Sequence, residues 1–424
     1  LAQTNLLLEL GSTGLSRWGG YVQEEWLPEL QGTKAIRVYK EMRDNDPVIG
    51  AILFAIKMLC RQATWRVEAA GASNADRKAA VFLESCLYDM STSWQDTISE
   101  ILSMLVFGWS WHEIVYKRRT GDSRDPTKRS KYNDGKIGWR KLPIRAQETL
   151  NEWIFDDDGG IQAMKQLAPP DYQIREIPID KSLLFRTEAT KGSPEGRSIL
   201  RNAYKPWYFK KNIEIIEGIG IERDLAGLPV VWVPPNIASP QTEEERLAQK
   251  KFKEMVTKIR RDQQEGIVMP LAYDEKGNRL YDIQLLSTGG RRQFDTSAII
   301  QRYDTRIAQT VLADFIMLGT QKVGSYALAS SKTNLFAVAI GAFLDEIEDV
   351  FNTHAVPRLF KLNDFKVENY PELRHGDIED VDLEELGNFV QKLSGAGMPL
   401  FPNKELEKHL LEAANLPSGG VDEE

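Results

Sequence analysis

Two long helical stretches, 198–225 and about 295–318, enclose a short run of strands and one charged helix, and that order limits the fold. In the first stretch, SILRNAYKPWYFKKNIEIIEGIGIERDL, Pro206, Gly218 and Gly220 predict a kinked or loosened helix. The second carries Ile299, Ile300, Tyr303, Ile307, Val311, Leu312, Phe315 and Ile316 on one side and stops at Gly319. Between them, VVWV (230–233) reads as a strand set among prolines. Thr242 with Glu245 three residues on opens a charged helix running to about 263, the pattern of a capping box. GIVMPLAY (266–273) and YDIQLLS (281–287) are expected to pair across the Asp274–Asn278 turn.

Upstream, the pattern is helices first and strands after, an α+β region of about 150 residues. Residues 1–35 are broken by Gly11, Gly14, Gly19 and Gly20 and read as a loose arm. At Asp46-Pro47 a helix begins: Asp46 can cap it, and Pro47 loses nothing at the first helical position. Val48, Ile49, Ile52, Leu53, Ile56, Leu59 and Cys60 then recur at helical spacing, so this helix is expected to be buried. Strand 64–69 follows, then helices 75–89 and 94–107, the latter capped by Ser93 or Ser91. From Trp109 to Arg186 the period moves toward two, with strands 109–118, 136–142, 151–155 and 182–186. Gly121, Asp134-Gly135 and Asp158-Gly159-Gly160 supply the turns. After Gly319 the stretch to Lys332 is polar and small, a loop by composition. An amphipathic helix at 333–362 and short acidic helices at 379–394 and 403–414 complete the chain.

Charge narrows the partners. Over all 424 residues, 54 Lys+Arg meet 62 Asp+Glu, which argues against a tight nucleic-acid grip. The balance is uneven, however. Asp364–Glu424 holds 15 acids and 5 bases, whereas residues 1–363 hold 49 bases and 47 acids. Residues 201–332 hold 20 bases and 16 acids, so an acidic tail masks a mildly basic middle. No apolar run approaches the roughly 20 residues of a membrane-spanning helix, and no membrane partner is expected. Cys60 and Cys86 cannot build a disulfide framework and are expected to be buried free thiols. The chain opens at Leu1 rather than Met, which suggests that residues precede it, and shows no secretory pattern.

Catalytic constellations are scarce. There is no G-x-x-x-x-G-K-[ST], no G-x-S-x-G elbow, and the E-G-I-G-I-E near 218–220 fails as a dinucleotide fingerprint. None of His112, His354, His375 and His409 has metal-ligand spacing, and His112 reads as a half-exposed strand residue. Asp156-Asp157-Asp158 is a dense carboxylate cluster, but it runs into Gly159-Gly160 and reads as a hairpin tip. No catalytic residue, metal or cofactor is assigned.

Certain motifs recur in a telling order. Asp46-Pro47-Val48, Leu53 and Ile56 lead to Trp65-Arg66-Val67, then to Gly108-Trp109-Ser110-x-x-Glu113. Gly196-Arg197-Ser198-Ile199-Leu200-Arg201-x-x-Tyr204-x-x-Trp207-x-x-Lys210 comes next, then Glu222-Arg223-Asp224-Leu225-Ala226-Gly227-Leu228-Pro229. Over most of residues 40–390 the chain resembles the portal (head–tail connector) proteins of tailed bacteriophages, in particular the Mu-like group.

That resemblance implies a portal-type α+β fold with a wing, a two-helix stem, an inserted α/β clip and a short helical crown. By residue, it implies an N-terminal arm (1–35), wing (36–196), first stem helix (197–227), clip (228–292) and second stem helix (293–318). A tunnel loop (319–332), wing helix and return (333–375), and crown with acidic tail (376–424) would follow. It further implies a ring, of twelve copies by the family pattern, that passes double-stranded DNA in packaging and ejection. Partners would be the terminase large subunit, then a head–tail adaptor or neck protein, and the major capsid protein. The location would be the virion, after assembly in the host cytoplasm. Gln321, Lys322, Gly324, Ser325 and Lys332 become candidates to face DNA. Arg246, Lys250, Lys253, Lys258, Arg260 and Arg261 become candidates for partner docking on the clip. Phosphate contacts carry no sequence information and multiply around a ring, so a mildly positive channel suits a sliding duplex. Two alternatives stay open: a metal-dependent nuclease or phosphotransferase using Asp156–Asp158, and an intracellular adaptor binding through helix 242–263.

Overall fold

A computed structural model describes residues 11–226, 228–258, 272–286, 295–310 and 326–376. By contacts the chain divides into two compact units, residues 1–202 with 308–424, and residues 203–307.

The first unit starts with a small hairpin, β1 (Arg17–Trp18) and β2 (Tyr21–Val22), followed by α1 (Gly32–Asn45). The arm is more ordered than its glycines predict. Backbone Trp153 N donates to Gly20 O at 2.8 Å, and Glu24 and Glu25 pair with Lys191 and Arg201 at 2.9 and 2.5 Å. Helix α2 (Pro47–Gln62) begins where expected: Asp46 accepts from Val48 N and Ile49 N, both at 3.0 Å. Its Ile49, Ile52, Ile56 and Cys60 are buried on one face. Strand β3 (Trp65–Glu68) precedes α3 (Asn74–Tyr88), whose capping box joins Ser73 and Asp76. The expected 94–107 helix is two pieces, α4 (Trp94–Ile101), capped by Ser93, and α5 (Ser103–Phe107). The second piece ends at Gly108, whose φ of 87° suits glycine.

Strands follow: β4 (Trp109–Glu113), β5 (Val115–Arg118), β6 (Ile137–Lys141), β7 (Ile144–Arg145) and β8 (Leu150–Phe155). Then come β9 (Ile161–Ala168), β10 (Gln173–Pro178) and β11 (Ser182–Arg186). They form antiparallel sheets β11-β4-β7, β10-β9-β8 and β5-β6. The sequence pattern does not predict strands β9 and β10. IQAMKQLA is rich in helix formers, and pairing with β8 overrides that preference.

In the second unit, α6 (Tyr204–Ala226) runs as one helix through Pro206, Gly218 and Gly220. Pro206 falls in the first turn, where the missing N–H has no intrahelical partner to lose. Strand β12 (Leu228–Trp232), α7 (Pro235–Ala238) and α8 (Glu243–Lys258) lead to β13 (Asp282–Leu286), then to α9 (Thr296–Gln309). Strand β13 pairs antiparallel with β12, Val230 opposite Gln284, a pairing the sequence does not predict. Across the Asp274 turn, among the described residues, a Tyr273–Arg279 bridge and the Leu280 N to Ala272 O bond at 2.9 Å join the two sides. Residues 266–271 lie outside the described residues, as do 311–318 of the expected second long helix.

The first unit resumes with α10 (Tyr326–Val350), a π-helical turn at Phe351–Ala355, α11 (Val356–Lys361) and β14 (Glu372–His375). Strand β14 pairs with β3, Leu373 opposite Val67, which ties the end of the described chain to the strand that follows α2. The main core gathers α2, α3, α4 and α10 around Trp94, Trp139, Phe185 and Phe351. Trp94 and Phe351 meet edge to face at 5.1 Å. A second cluster, Trp109, Trp111, Trp153, Met164 and Leu184, glues two sheets together.

Candidate functional site

The second unit presents the surface that the sequence marked for docking. Its base is the pair α6 and α9. Lys210 on α6 is 2% exposed, and its ammonium lies 2.5 Å from Asp304 on α9. Thr296 donates to Glu217, and Phe209 stacks on Tyr303 with ring centroids 6.3 Å apart. These contacts lock the two helices side by side.

Helix α8 is fixed by its own start. Glu245 accepts from Thr242 N at 2.9 Å and Gln241 N at 2.8 Å, and Glu245 N donates to Thr242 Oγ1 at 3.3 Å. Those backbone donors, helped by Asn236, hold the Glu245 carboxyl down to about 2. One face of α8 turns inward: Gln249 Nε2 donates to Ile237 O and Ala238 O, and Phe252 stacks on Tyr281 at 5.7 Å. Arg246, Lys250 and Lys253, spaced i, i+4, i+7, form an exposed stripe that borders Gln249. Arg246 makes a 3.4 Å pair with Glu243. Lys258 closes the helix, while Arg260 and Arg261 lie outside the described residues.

Of the DNA-facing candidates, Gln321, Lys322, Gly324 and Ser325 also lie outside the described residues. Lys332 belongs to α10, not to a loop, because the helix already starts at Tyr326. The run YALASSK holds no glycine or proline, and its alanines and leucine favour helix. Lys210 was passed over as a structural residue. Its signal was an ammonium inside a stretch of aromatic and aliphatic neighbours.

Asp156 sits at the β8–β9 tip, where Gly160 N donates to its carboxylate at 2.6 Å and Asp156 N to Gly160 O at 2.9 Å. Among the described residues, no group of three or more His, Cys, Asp or Glu could hold a metal ion. His112 is fully buried, not half-exposed, and bonded to Ser110 and Leu142 O at 2.6 and 2.8 Å. Burial pushes its ring down to about 4. Burial likewise raises the Cys60 and Cys86 thiols to about 12 and 11, so both are free and inert. Among the described residues, no helix is long and apolar enough to cross a membrane.

The mixed helix-and-strand fold is of the portal type. It is similar to a chain in the virion of a native gene transfer agent particle, with TM-score 0.50 and 13% identity over 90% of this chain and 93% of that one. It also resembles a chain of the neck of a native gene transfer agent particle computed with C12 symmetry, with TM-score 0.51 and 12% identity. That match covers 90% of this chain and 93% of the other. A third, in the neck of an empty particle computed with C6 symmetry, has TM-score 0.51 and 13% identity, covering 90% and 94%. A family model described as the portal protein of Mu bacteriophage matches residues 36–410, and the chain belongs to that family. It is a portal vertex subunit with a role in DNA packaging, in a family that is structural rather than catalytic.

Proposed function

We propose that copies of this chain close into a ring, twelve by the family pattern, whose central channel carries double-stranded DNA into and out of the phage head. Membership of the portal family over residues 36–410 carries this reading. The C12 symmetry used for the similar neck of a gene transfer agent particle supports a cyclic assembly. The stem would be α6 and α9, the clip β12 to β13 with α8, and the crown residues after 376. Gln321, Lys322, Gly324, Ser325 and Lys332 would meet phosphates weakly and without sequence preference. The exposed side of α8, with Lys258, Arg260 and Arg261, would dock the terminase large subunit and later the head–tail adaptor. The major capsid protein would surround the ring in the virion, after assembly in the host cytoplasm. ATP hydrolysis belongs to the terminase, and this chain has no catalytic step of its own.

Purified protein tests the reading directly. Closed rings with a central hole, roughly 0.5 MDa or more for twelve copies of the 48.1 kDa chain, are expected in negative-stain images and native mass measurements. Monomer under every buffer condition overturns it.

A further inference from the structure

One face of α3 does not join the core. Ala79, Phe82, Leu83 and Cys86 point inward, whereas Arg77, Lys78, Val81 and Tyr88 line a groove of about 710 Å³. Its opposite wall is the turn before β6, bearing Tyr132, Asp134 and Lys136, together with Arg119. Arg119 is 2% exposed, lies 4.0 Å over the Tyr132 ring, and spends its Nη atoms on Ser85 and Asp134. Its buried Nε has no hydrogen-bond partner. The Lys136 ammonium rests on the Phe82 and Phe365 rings, at 4.8 and 4.2 Å.

Charge in the groove is unbalanced. Arg77, Lys78, Arg119 and Lys136 share the lining with Glu84 and Asp134; among the described residues, Arg77, Lys78 and Lys136 have no carboxylate within ion-pair distance, and Asp134 is already spent on Arg119. Val81, 66% exposed, and Tyr88, 46% exposed, add apolar ground between the cations. A nucleic-acid backbone would use the cations and leave that ground wet. An acidic peptide dotted with aliphatic side chains would use both.

This chain contains such a peptide. Asp377–Leu386, DIEDVDLEEL, holds six acids and no Lys or Arg, with Ile378, Val381, Leu383 and Leu386 between them. It continues from Gly376, whose N–H donates to Thr64 O at 2.7 Å, next to β3, on which α3 packs. Ten extended residues span roughly 33 Å, enough to follow α3 along much of its length.

We infer that the acidic segment 377–386 docks in the α3 groove of its own chain, carboxylates on Arg77, Lys78 and Lys136, aliphatic side chains on Val81 and Tyr88. The inference does not depend on the ring, since it concerns contacts within one chain. Single exposed pairs are weak and screened by salt, so the docking is reversible and falls with ionic strength. It would let the first residues after β14 be held to the wing or released from it.

Zero-length carbodiimide coupling of the full-length chain tests this, using a mixture of ¹⁴N and ¹⁵N protein so that intra- and interchain links separate by mass. Intrachain links from Lys78 or Lys136 to a carboxylate within 377–385 are expected, falling at least about fivefold toward 1 M salt, where the Debye length is about 3 Å. Exposed Arg77→Glu should lower the Lys136 link by about fivefold, while Arg77→Lys should not. Links from both lysines only to other acids, only between chains, or unchanged by salt would overturn the proposal.

Discussion

Lys210 on α6 and Asp304 on α9 face each other with ammonium and carboxylate 2.5 Å apart, and the lysine is all but sealed from water. The contact is an ion pair without hydrogen-bond alignment, so it rests on Coulomb attraction in a poorly solvated place. Removing Asp304 takes a carboxylate at 2.5 Å from a buried ammonium, and Glu214, at 4.0 Å, is half-exposed. Asp304→Ala is expected to cost about 3 kcal/mol in denaturant unfolding of the chain. Lys210→Met with Asp304→Leu, which removes both charges, should recover most of it. If the double variant is no better than the single, the pair contributes by geometry and not by charge balance.

Two glycines set a second narrow point. A Cβ on Gly108 would lie 2.2 Å from Gly196 O, and one on Gly196 would lie 2.0 Å from Thr187 O. The backbones after α5 and before α6 therefore cross at a distance that only glycine permits, where Thr187 N donates to Gly108 O and Arg197 N to Thr187 O, both at 3.0 Å. Gly196→Ala and Gly108→Ala should each destabilise the fold by at least about 2 kcal/mol, read as a lower denaturation midpoint. A neutral alanine at either site would mean that the loop relaxes freely.

Much of this was legible beforehand. The Asp46-Pro47 start, the Ser93 cap and the Thr242–Glu245 box are local devices, written within four residues, and they stand in the structure where the sequence put them. The β12–β13 pairing was not legible. Val230 and Gln284 are far apart in sequence, and a short turn at Asp274–Asn278 offered a nearer partner on local grounds alone. The start of α10 at Tyr326 was missed for a related reason, since serines suggest a loop until a helix packed in the core continues through them. On α8 the basic residue types were visible. Their alignment in one stripe follows from helical spacing, and the structure adds that all three are exposed.

Stability should fall in mild acid because of His112. Its ring is buried neutral, with Nδ1–H on Leu142 O and Nε2 accepting from Ser110, and burial holds it at about 4 against 6.5 ordinarily. Between those values the unfolded chain binds a proton that the folded chain refuses, so stability is full above 6.5 and is lost as pH drops toward 4. The contribution between pH 7.5 and 5 is about 2 kcal/mol. His112→Gln keeps a donor and an acceptor and should remove that pH dependence. Equal slopes for both proteins over this window would assign the acid sensitivity elsewhere.

The last prediction concerns docking. Arg246, Lys250 and Lys253 are exposed along α8, whose start is held by Glu245 and whose Phe252 stacks on Tyr281, so reversing their charges removes neither contact. Exposed pairs contribute under about 1 kcal/mol each, but three reversals exchange attraction for repulsion at three points. The triple change Arg246→Glu, Lys250→Glu, Lys253→Glu should weaken terminase binding at least about tenfold in low salt, with ring formation unaltered. Co-sedimentation of terminase with assembled rings reads the first effect, and native mass measurement reads the second. A neutral triple, Arg246→Gln, Lys250→Gln, Lys253→Gln, should fall between the two. Unchanged terminase binding across the series would move the docking surface off this face of α8.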